Sequence, residues 1–144
     1  MKKVLYGIVL VGVVGVGGLF ALGQMSRSGP APGIVDGRLT PCPEAPNCVS
    51  SEADTPPEQR VDPLPLGAWT GLPDAIAAMG GVVTRQDEAY LAAEFTSDIF
   101  GFVDDVEFRL AGDAVQVRSG SRVGYSDQGV NRARVTALRD SLGL

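Results

Sequence analysis

The chain of 144 residues contains no histidine, and its only two lysines are Lys2 and Lys3. Cysteine is equally scarce, with Cys42 and Cys48 alone. Each shortage removes a class of chemistry. A structural zinc site needs about four ligands, which two cysteines and no imidazole cannot supply. A nucleophilic serine needs an adjacent base, and beyond residue 3 there is neither histidine nor lysine to serve. No cysteine lies near residues 20–25, so a lipid-anchored lipoprotein is excluded. No glycine-rich phosphate loop follows a strand and opens a helix. Beyond residue 25 the basic residues are ten arginines against 17 acids, which leaves that part at 10 − 17 = −7. An acidic domain without a basic stripe is poorly suited to nucleic acid or anionic lipid. The composition calls for no cofactor and no metal.

What is present begins with an uncharged apolar run over residues 4–23, VLYGIVLVGVVGVGGLFALG. Twenty helical residues rise about 30 Å, the thickness of a bilayer's hydrocarbon core. Lys2 and Lys3 precede the run, and positive charge before an apolar span holds that end in the cytoplasm. Two readings compete. A cleavable signal has a shorter apolar core of about 7–15 residues followed by small residues, for which Ala21-Leu22-Gly23 would serve. The length favours an uncleaved transmembrane anchor over residues 1–25. The expected location is therefore the inner membrane, with the domain in the periplasm. The alternative is a cleaved, free periplasmic protein.

In that oxidising compartment Cys42 and Cys48 are expected to form one disulfide, in a loop stiffened by Pro41, Pro43 and Pro46. Residues 26–37 are rich in Gly, Pro and Ser and read as a flexible tether. Residues 38–144 read as a single domain, with 38–68 a disulfide-clipped extended arm and 69–144 the core. In the core, Leu72, Ile76 and Met79 fall on one face of a short helix that Pro73 opens and Gly80-Gly81 end. Four strand-like runs follow at about 82–86, 89–96, 103–111 and 114–120. Gly112-Asp113 makes a two-residue hairpin loop, which sets Leu110 against Val115, Phe108 against Val117 and Glu107 against Arg118. A slip by one residue would put Phe108 against Gln116, so the pattern selects its own register. Residues 127–143 carry Val135, Leu138 and Leu142 at helical spacing. The expected fold class is α+β: an N-terminal transmembrane helix, then a two-layer domain with a four-stranded antiparallel meander and two helices.

Three blocks stand out: C-P-E-A-P-N-C-V-S-S at 42–51, F-G-F-V-D-D-V-E-F at 100–108, and V-R-S-G-S-R-V-G-Y-S-D-Q-G-V-N-R at 117–132. With these blocks the chain resembles the family catalogued as domain of unknown function 1499. They span almost the whole expected domain. The resemblance implies the fold and an envelope location, and it implies no reaction. Family members often carry a histidine shortly after the cysteine block; this chain has Arg60-Val61-Asp62-Pro63 there, which speaks against an essential imidazole.

The candidate binding residues are Asp104, Asp105, Arg118, Ser121, Arg122, Tyr125, Asp127, Asn131 and Arg132. The leading reading is a non-enzymatic envelope domain that binds or scaffolds a protein partner or a small anionic ligand, with the membrane reached through residues 4–23. The alternative is a hydrolase or transferase on an envelope substrate, using Asp104 or Asp105, Tyr125 and a serine. Consecutive strand residues point to opposite faces, so Asp104 and Asp105 are not expected to act as a carboxylate pair. The plainest alternative to any site is structural: the arginines pair with Asp104, Asp105, Glu107 and Asp127 and tie the last strand to the final helix.

Overall fold

The computed structural model describes residues 2–144, with side chains from residue 14 onward. A long proline-free stretch forms helix α1 (Lys2–Ser26). Short strands β1 (Ile34–Val35) and β2 (Arg38–Leu39) pair with each other across Asp36-Gly37, both at positive φ. The arm then supplies β3 (Cys48–Ser50) and β4 (Leu64–Pro65). A 3-10 turn over Leu66–Gly71 runs directly into helix α2 (Leu72–Ala78), with Pro73 in its first turn, where a missing N–H costs nothing. Strands β5 (Val82–Gln86), β6 (Tyr90–Thr96), β7 (Val103–Ala111) and β8 (Ala114–Ser121) follow, and helix α3 (Val130–Ser141) closes the chain.

The large sheet runs β3-β8-β7-β6-β5, and β4 also pairs with β8 at the end that β3 leaves open. All its ladders are antiparallel. The β7–β8 hairpin has the register its pattern dictates, with Phe108 opposite Val117, Leu110 opposite Val115 and Glu107 opposite Arg118.

Alternation along the strands divides the sheet into two chemically different faces. Leu91, Ala93, Val106, Phe108, Val115 and Val117 point toward α2 and α3, where Leu72, Ile76, Val135 and Leu138 complete the apolar core. Phe108 lies at its centre without solvent exposure. The opposite face carries Tyr90, Glu94, Asp105, Glu107, Arg109, Arg118 and Arg122. That charged face is also largely desolvated. The arm covers it with Leu39 and Ala31, which pack on Tyr90 and Ala92, and α1 covers it with the buried Ser26.

Two elements of the expected architecture are corrected. The sheet has six strands, not a four-stranded meander. The extra two, β3 and β4, are three and two residues long and lie among prolines, so they have no alternation that a pattern could reveal. The N-terminal transmembrane helix is also corrected: among the described residues no helix is long and apolar enough to cross a membrane. Residues 4–13 of the expected span lie outside the described side chains. What is described of α1 is an apolar helix whose last turns are fastened to the domain. Gly23 packs so closely on the Phe100 carbonyl that a Cβ there would lie within bonding distance of it. The Ser26 hydroxyl donates to the Gly23 carbonyl at 2.6 Å and accepts from the Val103 N–H at 3.0 Å. Phe20 and Phe100 meet edge to face at 5.2 Å.

Candidate functional site

The arginine-rich segment folds into three buried ion-pair systems. On the charged face, Arg122 donates to Asp105 at 2.8 and 2.7 Å and also pairs with Glu94. Its remaining nitrogen donates to the carbonyl of Ser26 at 3.1 Å. One guanidinium thus joins β8 to β7, to β6 and to the C-terminal end of α1, where the helix presents unpaired carbonyls and negative potential. The hydrogen bonds that Arg122 donates to Asp105 hold its guanidinium pKa well above the ordinary range, against the opposing effect of burial.

The second system centres on Glu107, which has no solvent exposure. It accepts from Arg118 at 3.1 Å, from the Tyr90 hydroxyl at 2.6 Å and from the Gly33 N–H at 2.6 Å. Burial, then the hydrogen bond to Glu107, push the Tyr90 phenol far up. Next to it Glu52 receives a bidentate contact from Arg109, at 2.6 and 2.8 Å, and the Leu39 N–H at 3.0 Å. Burial alone would raise the Glu52 carboxyl; Arg109 and Leu39 outweigh it and hold it below the usual range.

The third system lies on the helix side. Asp104 pairs with Arg134 of α3 at 2.7 Å. Arg134 also donates to Asn131 Oδ1 at 2.7 Å, which accepts from Ser119 at 2.6 Å. Asn131 is fully buried, and its amide nitrogen lies within 3.1 Å of the Asn47 carbonyl, Ser121 Oγ and Asp127 Oδ2. Asp127 in turn accepts the N–H groups of Gly129 and Asn131, at 2.9 and 2.8 Å, and so caps the start of α3. Burial would raise the Asp127 carboxyl, but these donors prevail and lower it.

The nine candidate residues therefore do not gather at one locus. Asp105, Arg118 and Arg122 lie on the charged face; Asp104, Ser121, Asp127 and Asn131 lie on the helix side. Arg132 is exposed and donates to the Glu58 and Arg60 carbonyls, both at 2.7 Å, pinning the arm. Tyr125 stands 76% exposed at the tip of the β8–α3 loop. Pattern reading missed Arg134, Asn47 and Glu52, whose partners are distant in sequence. The spacing of Arg134 three residues after Asn131, on one face of α3, was the one local signal available.

Where Asp104, Ser121 and Asp127 do converge is one wall of a cleft of about 370 Å³. Ser97, Ser126 and Gln128 also line it, and the rest of the lining is apolar. Its apolar lining comes from Leu19 and Leu22 of α1, Phe102 and Val103 at the start of β7, and Val123 and Val130 between β8 and α3. None of the three polar groups is free for acid–base work: an arginine holds Asp104, Asn131 holds Ser121, and backbone N–H groups hold Asp127. The rim is strained at Gln128, a non-glycine residue at φ +55°, directly before Gly129 at +84°. A second cleft of about 310 Å³ lies between β1–β2 and the arm, beside Cys42 and the Arg38–Asp54 pair, whose N–O distance is 3.4 Å. The disulfide joins Cys42 to Cys48, with Cα atoms 5.6 Å apart, and no cysteine is free. Among the described residues no group of three or more carboxylates, cysteines or histidines gathers where a metal ion could be held.

These shifts set a pH window. Glu52 and Asp127 are depressed in the folded state, so their contribution is present above the unfolded carboxylate range of about 4 and is lost as pH falls through their folded values. Tyr90 is raised, so its contribution is present below the unfolded phenol value of about 10 and is lost as pH rises beyond it. Denaturant midpoints are expected to be flat between about pH 5 and 9 and to fall at both ends. Tyr90→Phe should remove the alkaline fall and leave the acid one. An alkaline fall of equal size in that variant would show that Tyr90 is not its source.

The family described as Protein of unknown function (DUF1499) matches residues 38–142, which take in β2 through α3 and the charged face but not α1. Comparison with curated proteins and with solved structures finds no match.

Proposed function

The chain belongs to the DUF1499 family of proteins of unknown function, and from that premise we propose that its domain is a non-enzymatic binding module of the bacterial envelope that docks a protein partner at the α1-side cleft. The observation that carries this reading is the combination at that cleft. It is a largely apolar hollow, the exposed Tyr125 stands in the chain between its lining residues Gly124 and Ser126, and every ionisable group that lines it is already paired. Apolar clefts beside exposed aromatic side chains are the usual form of a protein-docking surface. The pairing of Arg118, Arg122 and Arg134 with carboxylates favours a protein partner over a small anionic ligand, because an anion would have to displace a buried carboxylate. The same pairing speaks for binding over hydrolysis or transfer by Asp104 or Asp105, which sit on opposite faces of β7 with an arginine each.

The Cys42–Cys48 disulfide supports a periplasmic, oxidising setting for the domain. In this reading the exposed apolar side chains of α1, among them Val14, Val16 and Met25, keep the domain beside the inner membrane.

Photocrosslinking in cells tests the docking site. A benzoylphenylalanine at position 125 is expected to yield one adduct of defined mass, and the same group at Asp113, in the β7–β8 turn, none. Val123→Asp should abolish the adduct while leaving the melting temperature within a few degrees. Equal labelling from both positions, or an adduct indifferent to Val123→Asp, would remove the cleft as the docking site.

A further inference from the structure

Beyond residue 25, Arg38, Arg85, Arg109, Arg118, Arg122 and Arg134 each pair with an aspartate or glutamate. Among the described residues the other four arginines pair with none, and residues 1–13 contain no acid that could serve them. Three of those four, Arg60, Arg132 and Arg139, line a single cleft of about 290 Å³ between the arm and α3. Arg132, Thr136 and Arg139 recur at helical spacing on one face of α3, and Arg60 arrives from the arm. Asp62 is the one acid that lines the cleft, and its carboxylate makes no ion pair with the three. Three positive charges thus stand against one negative charge, in a chain whose net charge is −5.

The three guanidiniums are held in place but not neutralised. Arg132 donates through both Nη atoms to the Glu58 and Arg60 carbonyls, and Arg139 through Nη1 to those of Asp62 and Pro63. Arg60 donates through Nε and Nη2 to the Ala53 and Thr55 carbonyls. A guanidinium has five N–H groups, so each arginine keeps donors to spare, and a neutral carbonyl leaves its charge intact. Among the described residues Nε of Arg132, Nε and Nη2 of Arg139 and Nη1 of Arg60 have no protein acceptor.

We propose that this cleft binds a phosphate monoester. The dianion matches the surplus of two positive charges, and its three terminal oxygens can take donors from three guanidiniums. A carboxylate has one charge and two oxygens, which a single arginine satisfies. Val61 and Val135 give the carbon atoms of the ester an apolar surface. The carbonyl contacts orient the arginines before the ligand arrives, which lowers the entropy lost on binding. This cleft shares no lining residue with the α1-side cleft, so the inference stands apart from the docking reading.

Titration of the full-length chain, in a non-ionic detergent, with glycerol 3-phosphate tests this through the arginine Nε–H signals in NMR. Those of Arg132 and Arg139, which have no acceptor, are expected to shift and saturate. Those of Arg109 and Arg122, bound to carboxylates, should stay in place. Acetate should bind at least about tenfold more weakly, since it offers one charge to the three arginines. Asp62→Asn removes an exposed carboxylate that makes no hydrogen bond or ion pair, so it should tighten binding several-fold at an unchanged melting temperature. In phosphatidylcholine nanodiscs, added phosphatidic acid that moves the same two signals would assign the phosphate to a lipid headgroup; signals that respond to glycerol 3-phosphate alone assign it to a soluble ester. If neither source moves Arg132 and Arg139, or if all arginine signals move together, the site is wrong. Equal affinity for acetate would overturn the phosphate assignment, and an affinity indifferent to Asp62→Asn would place the ligand outside this cleft.

Discussion

Arg122→Ala is expected to cost the domain about 3–5 kcal/mol, the usual effect of removing one member of a buried ion pair. The loss has three parts. Asp105, 3% exposed, would keep a buried charge with no cation. Glu94 is 31% exposed and can hydrate, so it contributes less. The Ser26 carbonyl would lose the donor that ends α1 on the domain. Since small domains are stable by only about 5–15 kcal/mol, a loss of this size lowers the denaturant midpoint steeply. The double variant Arg122→Met, Asp105→Leu separates the causes: with both charges gone, most of the stability should return, because a well-packed apolar pair often matches a buried salt bridge. A single variant within about 1 kcal/mol of the parent would mean that the guanidinium is replaceable and free to serve a ligand. This role differs from that of a binding residue, whose removal would leave the fold intact.

Asn131→Ala is expected to cost about 2–3 kcal/mol, since it strands several buried polar groups at once. Ser119 Oγ loses its acceptor, Arg134 loses one of three, and the Asn47 carbonyl loses a donor. These groups belong to β8, α3 and the residue before β3, so a single amide holds together three elements distant in the chain. The loss should appear as faster hydrogen exchange in the first turn of α3 and in β3, with β5 and β6 unchanged. Uniform loss of protection across the sheet would instead indicate that the core, rather than this junction, had been damaged.

The division between what could be read and what could not follows the range of the interactions. The β7–β8 hairpin was legible because Gly112-Asp113 and the alternation of Val, Phe and Leu lie within fifteen residues, and any other register would bury Arg118 in the apolar core. The Glu107–Arg118 contact came with that register. Its full burial did not, because the segment that covers it, residues 31–42, was read as part tether and part clip. Helices α2 and α3 announced themselves by spacing and end signals. By contrast, β3 and β4 are too short to have a period, and they are strands only because β8 offers them an edge. The candidate residues were chosen for density along one stretch, yet alternation sends Asp104 and Asp105 to opposite faces, and the sheet distributes their neighbours accordingly.

The cleft illustrates the same limit. Its walls come from residues 19–22, 97–103 and 121–130, and no local pattern in any of these segments signals the other two. The sequence alone determined the pairing of its two cysteines and the strand order of β5 to β8, because composition and near-neighbour periodicity suffice for each. Only the tertiary structure decided that the sheet has six strands, that Arg118, Arg122 and Arg134 are already paired with carboxylates, and that α1 lines a largely apolar hollow. Those outcomes depend on which distant groups meet when water is excluded. A buried charge must find a partner wherever the fold brings one, and that partner can be any number of residues away.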